Sequence, residues 1–121
     1  MSAHTKQDIE EAIRSITSMI EKSENAQNKF APGTSQHTLQ KNRIQALYIA
    51  LSLVKNELSE NDIISYPKED LEAAVAPIAS LISKSEKARE KLKQGAWQHT
   101  MLGENLKALY IASPLLSKAL K

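Results

Sequence analysis

The chain has 121 residues, with 16 basic against 14 acidic side chains, 41% hydrophobic content, three glycines, four prolines and no cysteine. That length suits one domain burying roughly two-thirds of its unfolded surface, so a core can form without metal or disulfide staples. The missing cysteine excludes a disulfide framework, a thiolate zinc site, iron–sulfur ligation and a cysteine nucleophile, and a net charge of +2 is too small by itself to imply nucleic-acid or membrane binding.

The opening Met1-Ser2-Ala3-His4 lacks the apolar core of a signal peptide, and no stretch approaches the roughly 18 apolar residues of a membrane span. A soluble, cytoplasmic protein with no membrane partner is therefore expected. Thr5 with Asp8 three positions on is a capping-box pattern that starts the first helix. Ile9, Ile13, Ile16 and Ile20, at spacings of 4, 3 and 4, put one apolar stripe along it, with Ala12, Met19 and Ala26 beside the stripe. Ser23 falls where the stripe would continue, as a small polar interruption. The helix is expected to fail near Ala31-Pro32-Gly33, because proline lacks a donor and glycine tolerates a left-handed cap. Helical spacing then resumes with Ile44, Leu47, Tyr48, Leu51, Val54 and Leu58.

After a short connection, residues 59–67, the pattern begins again. Shifting the chain by 62 residues aligns 6–58 with 68–120 without a gap, and 23 of the 53 pairs are identical. Lys22-Ser23-Glu24 returns as Lys84-Ser85-Glu86, Gln36-His37-Thr38 as Gln98-His99-Thr100, and Ala46-Leu47-Tyr48-Ile49-Ala50 as Ala108-Leu109-Tyr110-Ile111-Ala112. The third helix carries its stripe on Leu71, Val75, Ile78 and Ile82 and should stop near Lys93-Gln94-Gly95. The fourth carries Leu106, Leu109, Tyr110, Leu115, Leu116 and Leu120. Tyr66-Pro67 marks the start of the third helix, and Ile63-Ile64 in the connection is expected to tuck against the core. Pro77 and Pro114 fall inside predicted helices, where kinks or breaks are expected. The predicted architecture is all-α: residues 1–121 form one antiparallel four-helix bundle of two tandem helical hairpins related by an approximate internal two-fold.

Chemistry is sparse. The most specific feature is Gly-x-x-Gln-His-Thr placed twice, just after each turn, where unpaired N–H groups at a helix start favour an anion or an acceptor. An up-down-up-down path would gather Gln36, His37, Thr38, Gln98, His99 and Thr100 at one end, with Trp97 beside them as the candidate binding group. His37 also lies seven residues before Ile44 and eleven before Tyr48, on the predicted core stripe, and a packed ring bonded to a carbonyl is the simpler role. Trp97 is either a lid over the bundle end or an exposed anchor for a partner, with burial against the helix ends expected, and Tyr48 and Tyr110 are expected in the core with their hydroxyls reaching the surface or a buried acceptor.

No Glu-x-x-His pair, metal-ligand spacing or triad is visible, so neither an enzyme nor a metal or other cofactor is expected. Lys84, Lys87 and Lys91 share one face of a basic run that also holds Arg89 and Lys93, diluted by Glu86 and Glu90. The leading expectation is a non-enzymatic protein–protein interaction or adaptor module acting on an unknown protein partner or by self-association. Small-molecule or anion binding at the Gln-His-Thr end is second, and weak nucleic-acid binding through the basic face is third.

Overall fold

The structure, a computed structural model, describes residues 4–58 and 66–121. The expected position of Ile63-Ile64 lies outside them. The described residues form four helices, α1 (Lys6–Gln27), α2 (Ser35–Asn56), α3 (Lys68–Glu90) and α4 (Trp97–Ala119).

The capping box forms as the sequence implies. Asp8 N–H donates to Thr5 Oγ1 at 3.0 Å, and Thr5 N–H donates to Asp8 Oδ2 at 3.2 Å. Two donors left over at the helix start are thereby satisfied. Pro67 caps α3 without a side-chain bond, and the neighbouring Tyr66 hydroxyl donates to Ser52 Oγ at 2.8 Å, tying the start of α3 to α2.

Both first helices stop three to four residues before the sequence suggests. At the end of α1, Lys29 and Phe30 donate to the carbonyls three residues back; Lys91 and Leu92 do the same after α3. The last turn thus tightens and unwinds before Pro32 or either glycine is reached. Pro77 and Pro114 interrupt neither α3 nor α4, contrary to a break. Each proline removes the bond that the carbonyl four residues earlier would accept. Those carbonyls belong to Ala73 and Tyr110, both exposed residues.

α1 packs on α2 and α4, α3 packs on α2 and α4, and α2 touches α4, while α1 and α3 do not meet. The bundle therefore has a rhombic section with α2 and α4 across its short diagonal. The repeated Ala-Leu-Tyr-Ile-Ala run explains this contact. Ala46, Ala50, Ala108 and Ala112 are all buried, and a methyl group lets two backbones approach more closely than a larger side chain does. Ile16, Leu47, Val54, Ile78 and Leu109 fill the centre without exposure of consequence, each contributing on the order of 1.5–3 kcal/mol of transfer free energy.

The buried stripe is narrower than the predicted one. Tyr48 and Tyr110 are 47% and 48% exposed, and Val75 and Leu58 are also open to solvent. The tyrosines are thus not core residues, because the inward face of α2 and α4 is centred on the leucine one position before each and the alanines two positions either side.

Candidate functional site

The last turns of α1 meet the first turns of α4. The Lys22 ammonium, near the end of α1, donates to Met101 Sδ near the start of α4 at 3.0 Å. Gly33 and Gly95 each have a left-handed φ, +90° and +96°, which explains why both copies keep glycine there. In the first turn Thr34 Oγ1 accepts from His37 N–H at 3.2 Å and donates to the Ala31 carbonyl at 2.8 Å. Ala96 occupies the matching position of the second turn and supplies no side-chain cap.

His37 and His99 are half-buried, while Gln36, Thr38, Gln98 and Thr100 are exposed. Trp97 is 69% exposed, so its expected burial against the helix ends is corrected. The cause is the length of α2 and α4 beyond the core. Their first buried residues are Ala46 and Leu106, so the opening turns of both helices stand clear of the apolar interior. No hydrogen bond among the described residues joins Gln36, His37 or Thr38 to Trp97, Gln98, His99 or Thr100, and neither imidazole is bonded to a described residue. The two turns form no bonded cluster among the described residues.

Arg89 leaves the basic run. Its Nε donates to the His99 carbonyl at 3.3 Å, and its guanidinium lies over Gly103, where a Cβ would come within 2.9 Å of it. Lys84, Lys87 and Lys91 remain exposed on α3. Ser23 is buried and Ser85 half-buried. Among the described residues no three His, Asp or Glu side chains come close enough to hold a metal ion, and no helix is long and apolar enough to cross a membrane.

Sequence reading missed a groove of about 710 Å³ between α2 and α3. Its walls include Ala46 and Ile49 from α2, and Ala73, Ala74, Ala76 and Pro77 from α3. Arg43 also lines it, half-buried, and desolvation lowers its pKa below the ordinary arginine value with no carboxylate in play. The signal was present in the duplication: Ala73, Ala76 and Pro77 stand where the first copy has Glu11, Arg14 and Ser15.

Comparison with protein-family models, with curated proteins and with solved structures finds no match.

Proposed function

We propose that the chain is a non-enzymatic binding module that engages a protein partner through the end of the bundle carrying both turns, with Trp97 as the anchor. The observation that carries this reading is the exposure of Trp97, a large apolar side chain held on the first turn of a rigid helix with most of its surface in water. Tryptophan is enriched among the residues that dominate binding energy, because one rigid ring buries a large area at small entropic cost. Phe30 in the first turn and Leu39 on the second turn of α2 add exposed apolar surface at the same end. This reading takes the bundle as antiparallel with an approximate two-fold between hairpins, supported by the Lys22–Met101 contact and by the like packing of α1 and α3 on α2 and α4.

The test places a photo-crosslinking phenylalanine analogue at position 97 in cells that naturally make the chain, with exposed Glu72 on α3 as the control position. One dominant protein adduct at 97 that is missing at 72 is expected, whether to a second copy or to another protein. Adducts no different between the two positions would remove the reading.

A further inference from the structure

We propose that the groove between α2 and α3 is a binding site for an organic anion with an apolar body, of the class of a medium-chain carboxylate, whose head group is held by Arg43. The argument comes from comparing two equivalent places in one molecule. The 62-residue shift carries the α2/α3 interface onto the α4/α1 interface, so each wall position of the groove has a counterpart in the same chain.

At the α4/α1 interface the space is filled. Glu11 and Arg14 project there from α1, and Asp8 accepts from Lys107 Nζ at 3.1 Å, bridging the two helices. The cavity that remains is about 320 Å³. At the α2/α3 interface three of these four side chains are absent, and Asp70 keeps the place of Asp8. Ala73 replaces Glu11, Ala76 replaces Arg14, and Gln45 stands where Lys107 would bridge to Asp70. The space rises to about 710 Å³, within the range of roughly 300–1,000 Å³ typical of small-molecule sites. The changes that open the groove are truncations of charged side chains to methyl groups, which leave an apolar wall.

One change runs the other way. Arg43 takes the place of Asn105, adding a cation to the side of the bundle that has lost Glu11, Arg14 and Lys107 to Ala73, Ala76 and Gln45. It is half-buried and makes no salt bridge to a described residue. A guanidinium that has given up part of its hydration without gaining a counter-charge is set to accept one, and its planar fork matches a carboxylate with two parallel bonds. Asp70 lies at the end of the groove near Tyr66 and is exposed, so water satisfies it. It disfavours a second negative charge at that end and so selects a single anionic head at Arg43, with the apolar body along Ala73, Ala76 and Pro77.

The test uses the full chain with three probes of different character: decanoate, 1-decanol and inorganic phosphate, followed by calorimetric titration and by the shift in Tm. Decanoate is expected to bind and raise Tm, and the other two to do so far more weakly. Arg43→Gln should weaken decanoate by roughly ten- to a hundred-fold, the value of a charge-assisted contact. The double substitution Ala73→Glu with Ala76→Arg, which rebuilds the filled interface, should abolish binding while leaving the helical spectrum unchanged. Asp70→Asn should leave decanoate affinity equal or higher. Decanol binding as tightly as decanoate, phosphate matching decanoate, affinity indifferent to Arg43→Gln, or no decanoate binding at all would each overturn the proposal.

Discussion

Tyr48 donates its hydroxyl to the Glu24 carboxylate at 3.2 Å, and Tyr110 makes the same bond to Glu86 in the second hairpin. Each bond joins the two helices of one hairpin across a sequence separation of 24 residues, so the duplicated Lys-Ser-Glu and Ala-Leu-Tyr-Ile-Ala runs are two ends of one contact. In both copies the glutamate serves as the tyrosine's acceptor.

This contact sets a pH dependence. For Tyr48 the charge of Glu24, and for Tyr110 the hydrogen bond to Glu86, raises the hydroxyl pKa above its ordinary value of 10.0. The unfolded chain then loses these protons first as pH rises, so the contribution is fully present below pH 10 and is lost as pH climbs through the raised values. The Tm should fall above pH 10, and Tyr48→Phe with Tyr110→Phe should flatten that fall. An alkaline limb unchanged in the double variant would contradict the assignment.

Core substitutions should be equivalent across the duplication. Leu47 and Leu109 are both fully buried at matching positions. Leu47→Ala and Leu109→Ala should each destabilise by about 2–5 kcal/mol, measured by urea unfolding. A much smaller loss at one site would mean that the two hairpins pack their shared interior unequally.

The two turns differ in one cap, and exchanging it gives opposite signs. Thr34→Ala should cost on the order of 1 kcal/mol, because His37 N–H loses its acceptor. Ala96→Thr should gain a similar amount, because α4 begins without a side-chain cap. Thermal unfolding of the two single variants and the swapped double variant would check this, the double falling close to the original Tm.

At Gly33 and Gly95 the positive φ, not crowding, requires glycine, since a Cβ at either would meet nothing within 4 Å. Gly33→Ala and Gly95→Ala should each destabilise by roughly 1–2 kcal/mol. The loss should appear as faster unfolding with little change in helix content by circular dichroism.

The four helices, their duplication and the Thr5–Asp8 cap were legible because periodicity and capping are local properties of sequence. The extent of the core was not. Extrapolating the stripe from Ile44 back to His37 treats a helix as buried along its whole length, whereas burial of α2 begins only at Ala46. Trp97 was misplaced for the same reason. Tyr48 was misassigned because its apolar ring fits the stripe, while the small Ala46 and Ala50 beside it, which draw α2 toward α4, carry little weight in a hydrophobicity count. Continuous helix through Pro77 and Pro114 likewise depends on whether water reaches one freed carbonyl, which spacing alone does not encode. The α2/α3 groove was legible only as three substitutions between the copies, whose meaning required knowing which helices face each other.

The rhombic arrangement has a consequence for how the hairpins pair. Because α1 and α3 never touch, trading one hairpin for the other leaves every class of neighbour unchanged. Each hairpin thus offers the other the same two kinds of contact, which is the pattern two identical hairpins would need in order to pair. Joined in one chain, the two flanks need not match: one carries the Asp8–Lys107 bridge and the other opens into the groove beside Arg43.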